Sequence, residues 1–176
     1  MSAGEGSTAI EMFGRLYDEY MPRVFRYVHY RVNSTEVAED ITSTVFEKAL
    51  KSFSSYSHDK ASFGTWLFSI ARNAVVDHYR KGGRSETGSL EAAIEFPADE
   101  FSPEEELDRR DERHRLRVCL EDLAEDEREI VRLKFGAELN NRQIANMVRL
   151  SESNVGTKLY RAVRKLRDCF KRLDNG

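Results

Sequence analysis

The chain has 176 residues, of which 40% are hydrophobic and 34% are charged, and its formal net charge is −3. This length allows one ordinary domain or two small ones, and a charged fraction above the usual quarter favours two small domains or an elongated molecule. No stretch approaches the roughly 18 apolar residues that a spanning helix needs, and the N-terminus has neither the basic start nor the apolar run of a secretory signal. We therefore expect a cytoplasmic protein without membrane insertion.

The first part of the chain has the apolar spacing of helices. Residues 10–20 repeat apolar side chains at intervals of three and four, which predicts a helix. Pro22 cannot lie deep inside that helix, so we place it in the first turn of a second one. Beyond a candidate cap at residues 33–34, apolar stripes over residues 37–53 and 63–75 predict further helices that pack into one compact bundle.

Two segments lack that periodicity. Residues 54–62 are rich in serine and are interpreted as a loop. Residues 82–104 contain three glycines and two prolines and become increasingly acidic, with nine acidic residues against two arginines over residues 95–112. Such a composition is typical of a flexible linker. The predicted organisation is a first domain over 9–81, a linker over 82–104 and a second domain over 105–174.

Local capping signals mark the helices of the second domain. Ser102 and Pro103 are typical of a helix start. Asn140, with Gln143 three residues later, resembles a capping box, and Ser151 can cap the helix after it. The expected fold is therefore all-α, with two small helical domains joined by the acidic linker.

Residues 142–167 have the pattern of a helix-turn-helix, in which a short helix and a tight turn precede a longer helix with a polar face. The start of the longer helix offers short polar side chains suited to base edges: Ser153, Asn154 and Thr157. Farther along are cations that can reach phosphates: Lys158, Arg161 and Arg164. Eight basic residues against two acidic ones over 149–172 agree with a polyanion partner, although a helical hairpin with a solvated basic face has the same pattern.

The remaining reactive side chains predict no chemistry. Cys119 and Cys169 form no CxxC pair, so we expect two separate thiols. The four histidines show no ligand spacing, and His29 and His114 are expected on helix surfaces. Because no nucleophile–base pair, phosphate loop or metal cluster is apparent, we expect neither an enzyme nor a bound metal or cofactor.

Longer motifs resemble a known family. The phrase "LAEDEREIVRLKFGAELNNRQIANMVRLSESNVGTKLYRAVRKLR" resembles region 4 of bacterial RNA polymerase sigma factors of the sigma-70 family. Earlier, "EVAEDITSTVFEKAL" resembles the part of region 2 that binds the polymerase clamp, and "ASFGTWLFSIARNAVVDHYRK" resembles the part that reads the −10 promoter element. Both regions in this order resemble the extracytoplasmic-function, or group IV, sigma factors over residues 10–172.

The resemblance implies a specificity subunit that binds core RNA polymerase, at its clamp and flap, and directs initiation at promoter DNA. It implies a polymerase-binding set: Glu39, Asp40, Ile41, Val45, Phe46 and Lys48. It implies a −10 set in the loop and the helix after it: Tyr56, His58, Asp59, Lys60, Ser62, Phe63, Arg72, Asn73, Arg80 and Lys81. It implies a −35 set: Ser151, Ser153, Asn154, Thr157, Lys158, Tyr160, Arg161 and Arg164. An anti-sigma factor is the further partner that the resemblance implies.

Some positions depart from the family's pattern. Trp66 is followed by Leu67 where primary sigma factors have a second tryptophan, so Trp66 is interpreted as a core residue. Gly156 lies where a basic residue is usual, and Arg149 replaces a small residue of the turn, so the −35 contacts are expected to differ from the common scheme. Tyr160 fits a DNA contact and a core-edge position equally.

Two other classes of protein stay open at this point. A self-sufficient helix-turn-helix regulator would bind duplex DNA without polymerase, usually as a dimer. A sigma-like adaptor would have lost DNA reading, which Gly156 would fit. An in vitro transcription experiment distinguishes these classes. Only a sigma factor predicts transcripts that require both the chain and core polymerase.

Overall fold

The computed structural model describes the backbone of residues 3–32, 34–82 and 103–174, and the side chains of residues 10–32, 34–82, 111–112 and 114–174. The all-α prediction is confirmed by seven helices in these ranges: α1 (Ala3–Val32), α2 (Thr35–Ser52), α3 (Phe63–Gly82), α4 (Pro103–Glu121), α5 (Glu125–Val131), α6 (Asn141–Val148) and α7 (Glu152–Asp174). A 3₁₀ turn (Phe53–Ser55) follows α2, and a π-helical turn (Arg132–Gly136) extends α5. Within the described ranges, no helix is long and apolar enough to cross a membrane.

One continuous helix, α1, replaces the two helices predicted around Pro22, so that prediction is wrong. A proline inside a helix removes one backbone hydrogen bond and crowds the preceding turn. The apolar stripe nevertheless continues past it, since Phe13, Val24, Tyr27 and Val28 are buried in the same cluster. Burial along the whole face stabilises the helix on both sides of the proline.

Helices α1, α2 and α3 pack on one another as a bundle. Ser34 begins α2 as predicted, because its side chain accepts a hydrogen bond from the Val37 amide at 3.4 Å. The buried face of α2 follows the predicted stripe: Ala38, Ile41, Val45, Phe46 and Ala49. The buried face of α3 includes most of its predicted stripe, and also Phe68, which the prediction did not include: Phe63, Leu67, Phe68, Ala71, Ala74 and Val75. Helical spacing therefore placed most of this core correctly, although Leu50 of the predicted α2 stripe is exposed.

Helices α4, α5 and α6 each pack on α7. The capping box predicted for α6 is confirmed, since the Asn140 and Gln143 side chains each accept from the other's backbone amide at 2.9 Å. Ser151 caps α7 by accepting from the Asn154 amide at 3.2 Å. Ser102, the cap predicted for α4, lies outside the described residues.

The turn between α6 and α7 is tight because Arg149 adopts a left-handed backbone conformation, with φ of 57°. The amides of Arg149 and Leu150 both donate to the Ala145 carbonyl, which closes the end of the helix. A residue with a Cβ in this conformation costs about 1–2 kcal/mol, whereas glycine adopts it freely. The helix-turn-helix geometry is thus reached with an arginine at the position where glycine is most favourable.

Cys119 of α4 and Cys169 of α7 form a disulfide, with Cα atoms 5.6 Å apart. The expectation of two separate thiols is therefore wrong. Both residues are buried where the two helices pack, and they lie 50 positions apart in the chain, so no local spacing signals the pairing. A bridge that closes such a long loop restricts the unfolded chain strongly.

His29 is buried, so its predicted place on a helix surface is wrong. Its ring stacks on that of Phe25, with centroids 5.6 Å apart, and its Nε2 lies 3.4 Å from the Thr35 hydroxyl at the start of α2. The N-terminus of α2 covers this side of α1, which the spacing within α1 does not reveal. His114 is exposed, as predicted.

Buried residues from both halves of the chain join in one apolar cluster. The second half contributes Ile130, Leu133, Leu139 and Ile144, together with several smaller side chains. A separate, smaller cluster lies within the second half: Leu123, Val131 and Ala162. Most of the linker predicted over residues 82–104 lies outside the described residues, and the domain boundaries stay a prediction.

Candidate nucleic-acid interface

The six residues predicted to bind polymerase lie on two opposite sides of α2. The outer side exposes the charged ones: Glu39, Asp40 and Lys48. The apolar ones are buried because they belong to the stripe that packs on α1 and α3: Ile41, Val45 and Phe46. In this conformation only the charged members can touch another molecule, and the apolar members hold the helix in place.

A shallow groove between α2 and α3 joins the polymerase set to the −10 set. Its volume is about 230 Å³, and its walls include Asp40 and Lys48 on one side and Asp77 and Lys81 on the other. The Lys48 Nζ lies 4.0 Å from the Asp77 carboxylate, which also accepts from Arg80 at 2.9 Å. The two predicted surfaces therefore meet along this groove, and Asp77 pairs with cations of both.

Aromatic residues brace the loop between α2 and α3. The Tyr56 ring lies 5.0 Å from the Trp66 ring and 5.6 Å from the Phe63 ring, measured between centroids. Its hydroxyl donates to the Ala61 carbonyl at 3.1 Å. Burial, together with the nearby Tyr20 hydroxyl, raises the pKa of the Tyr56 phenol. Tyr56, a member of the −10 set, thus also holds the loop closed on itself.

The tip of this loop turns its polar residues outward. His58, Asp59 and Lys60 are exposed. Ser62 is half-buried, and its hydroxyl accepts from the Thr65 amide at 3.3 Å at the start of α3. The loop therefore presents donors and acceptors to solvent while its two ends are fixed.

Phe63 is buried in the core, so it cannot contact DNA in this conformation. The reason is its place in α3, where it is the first side chain of the apolar face. Trp66 is half-buried, with its ring 5.5 Å from that of Phe63. This position agrees with the interpretation of Trp66 as a core residue.

The remaining −10 residues lie on α3. Asn73 and Lys81 are exposed. Arg72 is also exposed in part, but it reaches the second half of the molecule, where its Nε lies 3.6 Å from the Glu129 carboxylate. Arg72 is thus engaged within the chain, whereas Asn73, one residue on, faces solvent.

Helix α7 has a buried face and a polar face. The buried face consists of Val155, Ala162 and Cys169. The opposite face exposes most of the −35 set: Ser153, Asn154, Thr157, Tyr160, Arg161 and Arg164. The sequence fitted Tyr160 equally to a DNA contact and to the edge of the core. Tyr160 is 69% exposed, so it lies on the surface.

Acidic residues at the start of α5 pair with cations of α7. Lys158 bonds Asp126, and the Lys165 Nζ lies 2.6 Å from the Glu127 carboxylate. Hydrogen bonding to the Lys158 ammonium lowers the pKa of the Asp126 carboxyl. Lys158 is therefore engaged inside the second half, which the sequence did not indicate. Arg161, by contrast, has no ion-pair partner in the described part of the chain.

Gly156 is half-buried beside the start of α6. A Cβ at this position would lie 3.8 Å from the Asn141 Nδ2, an ordinary contact, and the residue lies inside a regular helix. Neither packing nor backbone conformation requires glycine here. The structure does not explain why this position lacks the basic residue expected from the resemblance.

A buried carboxylate that the sequence did not single out lies between the two halves. Glu129 accepts from the Tyr27 hydroxyl at 2.9 Å and from the Arg31 guanidinium at 2.8 Å, and the Arg132 Nη1 lies 3.9 Å away. Burial raises the pKa of the Tyr27 phenol and lowers that of the Arg132 guanidinium. Because Arg31 and Glu129 are 98 positions apart, no local signal could have found this cluster.

Family models match both halves of the chain. "Sigma-70 region 2" matches residues 16–85, and "Sigma-70, region 4" matches residues 113–166. The chain belongs to the sigma-70 family. Region 2 of this sigma factor therefore contains the loop at 56–62 and α3, and region 4 contains the helix-turn-helix of α6 and α7.

Curated relatives are sigma factors of the extracytoplasmic-function (ECF) type. The ECF RNA polymerase sigma factor BldN of Streptomyces coelicolor is 36% identical over 159 residues, which cover 89% of this chain. The chain spans 59% of the length of BldN. The ECF RNA polymerase sigma factor SigM of Bacillus subtilis is 29% identical over 164 residues, which cover 89% of this chain and 94% of SigM.

Solved structures of other proteins share the fold. The sigma factor RpoE of Bartonella quintana, in complex with the anti-sigma factor NepR, matches with a TM-score of 0.70 at 23% identity. The match covers 92% of this chain and 98% of the RpoE chain. CnrH, in complex with the cytosolic domain of CnrY, matches with a TM-score of 0.66 at 20% identity and covers 91% and 88%. At these identities the likeness establishes the arrangement of helices.

Proposed function

We propose that this sigma factor binds core RNA polymerase and directs transcription initiation by reading the −10 and −35 elements of its promoters. The observation that supports this most is the exposed polar start of α7, in a helix-turn-helix whose opposite face is buried. The protein has no catalysis of its own. It acts in the cytoplasm, where bacterial polymerase and chromosomal DNA are found.

Region 4 reads the −35 element with α7. Ser153, Asn154 and Thr157 project short polar groups of the kind that contact base edges in the major groove. Arg161 and Arg164 reach phosphates and fix the register. The N-terminal amides of α7 add a favourable site for a phosphate oxygen.

Region 2 captures the −10 element with the loop at 56–62 and the adjoining face of α3. His58, Asp59 and Lys60 can hydrogen-bond an unstacked base, which offsets the few kcal/mol that unstacking costs. Asn73 faces the same strand. Lys81, at the end of α3, holds phosphates.

The charged edge of α2 docks on the polymerase clamp, and region 4 contacts the flap. Glu39 and Asp40 suit a basic surface, because complementary charge speeds and orients association. Lys48 adjoins the α2–α3 groove that Lys81 also lines. Polymerase and promoter strand can therefore be bound side by side along this groove.

We extend the proposal to an anti-sigma partner, since RpoE was solved with NepR. Exposed apolar side chains on α1 and α2 offer a surface for such a protein. Tyr17, Met21 and Leu50 are between 36% and 54% exposed and line a groove of about 450 Å³. Single exposed apolar residues are common, but several around one groove are typical of an interaction site.

In vitro transcription with core RNA polymerase on genomic fragments of the source organism tests the proposed function. We expect specific transcripts only when both proteins are present. The double variant Thr157→Ala/Arg161→Ala should lower transcription at least about tenfold, because one lost base contact costs about 1–3 kcal/mol. The matched control Arg167→Ala removes an exposed cation farther along α7 and should have little effect.

Mobility-shift measurements without polymerase distinguish the alternative. Tight, sequence-specific binding of duplex promoter DNA by the chain alone would identify a self-sufficient regulator. Transcription that is independent of the chain would overturn the proposal.

A further inference from the structure

A cation among the residues proposed to read the −35 element is bound by another helix. Lys158 is the only lysine or arginine between Glu152 and Tyr160. Its ammonium bonds the Asp126 carboxylate in the first turn of α5. The Lys158 side chain is 32% exposed and the Asp126 side chain is 55% exposed, so the pair lies at the surface of region 4. Residues 152–160, all of which the structure describes, therefore contain no free cation in this conformation.

A second contact fixes the Asp126 carboxylate in place. Its Oδ1 accepts from the Glu127 backbone amide at 2.9 Å, while its Oδ2 bonds the Lys158 ammonium. The carboxylate of Glu127 itself accepts from the Lys165 Nζ at 2.6 Å. Two neighbouring carboxylates of α5 thus bind two cations that lie about two turns apart along α7. Helix α5 therefore sets the direction in which the Lys158 side chain extends.

Lys158 adjoins the exposed face of α7. Asn154 lies four positions before it and Arg161 three positions after it, and both are exposed. Residues at these spacings are neighbours on a helix, with Cβ atoms about 5–6 Å apart. The Asp126–Lys158 pair therefore lies beside the proposed DNA-binding face, where charges interact over about 8 Å at physiological ionic strength.

We propose that Asp126 is a positioning residue that limits the sequence-independent part of −35 binding by holding Lys158 away from the DNA phosphates. Phosphate contacts attract DNA of any sequence, whereas base contacts and DNA shape distinguish one sequence from another. With Lys158 engaged, the start of α7 offers mainly the short polar side chains of Ser153, Asn154 and Thr157. This role rests on the proposed function of α7, whereas the ion pair itself does not.

The two charges restrain each other when DNA approaches. A phosphate that captured Lys158 would leave the Asp126 carboxylate unpaired beside the phosphates, and like charges repel. Lys158 thus neutralises Asp126, and Asp126 withholds Lys158. An exposed ion pair contributes little to folding stability, so we expect variants of the pair to fold and to change DNA binding.

The consequence for a sigma factor concerns DNA outside promoters. Chromosomal DNA offers very many sites that bind a protein through phosphate contacts alone. A chain with a free cation at the start of α7 would be held longer at such sites, which would leave less of it for core polymerase. Asp126 therefore favours the chain's availability for polymerase at the expense of DNA affinity.

An NMR titration of the full chain tests the ion pair without DNA. The hydrogen bond from Lys158 lowers the pKa of the Asp126 carboxyl. Lys158→Gln should therefore raise the pKa of Asp126 towards its ordinary value. An unchanged pKa of Asp126 in this variant would show that the pair does not form, and would overturn the proposal.

Binding measurements with the holoenzyme test the effect on DNA. The probes are a promoter duplex identified by the in vitro transcription experiment and the same duplex with its −35 box scrambled. Asp126→Asn should bind both duplexes at least about threefold more tightly, because the released ammonium reaches a phosphate. The slope of the logarithm of the association constant against that of the salt concentration should steepen by about one.

The reverse change separates a restrained lysine from a direct DNA contact. Lys158→Gln should weaken binding of both duplexes at least about twofold, because the Asp126 carboxylate is left unpaired. The double variant Asp126→Asn/Lys158→Gln should return to within about twofold of the parent. A double variant that binds as weakly as Lys158→Gln would show that Lys158 contacts DNA in the parent, and would overturn the proposal.

The matched control is Glu125→Gln, which removes a carboxylate from the same turn of α5. Its partners Arg128 and Arg132 have side chains only 16% and 11% exposed, so no cation of α7 is released and the salt dependence should equal that of the parent. Unchanged binding by Asp126→Asn, with the parent still preferring the promoter duplex, would overturn this proposal alone. A parent without that preference would overturn the proposed −35 reading, and this role of Asp126 with it.

Discussion

Region 2 and region 4 are both helical, but different interactions hold them together. In region 2, long helices interlock through side chains with no exposed surface, such as Val45, Leu67 and Phe68. In region 4, α5 has seven residues and α6 has eight, and the region's own buried cluster is small. A disulfide, helix caps and ion pairs supplement that cluster. Apolar burial therefore dominates one half, and cross-links and electrostatics contribute more to the other.

The largest expected effect comes from removing the Cys119–Cys169 bridge. A loop of 50 residues corresponds to a loss of about 4 kcal/mol from the free energy of unfolding. Cys119→Ala/Cys169→Ala, or a reductant, should accelerate amide hydrogen exchange in α4 and α7 much more than in α2 and α3. The double variant should no longer respond to reductant. Equal acceleration in both regions would contradict the contrast between them.

Leu67→Ala tests how much apolar burial contributes to the stability of region 2. Leu67 is fully buried, so the truncation should lower the free energy of unfolding by about 3 kcal/mol through lost burial and a cavity. Urea unfolding measures the loss. The control Leu50→Ala makes the same chemical change at a side chain that is 54% exposed, and should cost under about 0.5 kcal/mol. Similar losses at the two sites would refute the assignment of this core.

Gly156→Ala and Gly14→Ala should give the smallest changes in stability, one in each region. Both glycines lie inside helices, and a Cβ has ordinary contact at the first and nothing within 4 Å at the second. Each alanine should raise the free energy of unfolding by about 1 kcal/mol. Urea titrations monitored by regional hydrogen exchange should assign one gain to each region. Destabilisation by Gly156→Ala would show that glycine is required in α7.

Local signals made much of the fold predictable from the sequence. Ser34, Ser151 and the Asn140–Gln143 box mark helix starts through contacts only three residues apart. The wrong predictions involved contacts distant in the chain or burial that outweighs local preference. Cys119 and Cys169 pair across 50 positions, and Pro22 is carried inside α1 because the apolar face continues past it.

The candidate site was predictable where function requires exposure. The polar face of α7 followed from helical spacing, and its residues are exposed. Phe63 and Phe46 were predicted as contact residues because they lie inside family motifs, which also contain residues that only support the fold. Both side chains are buried. Glu129 was missed because its partners, Tyr27 and Arg31, belong to the other region and lie far from it in the chain.

An inter-region seam, in which Gly136 packs on Tyr30 and Leu139 lies beside Gly64, gives the fold a temperature dependence. Closing it removes apolar surface from water, and the free energy gained in this way weakens on cooling. Charged partners in the same seam are hydrated more favourably at low temperature. The free energy that holds the two halves together at this seam should therefore be smaller in the cold than at room temperature.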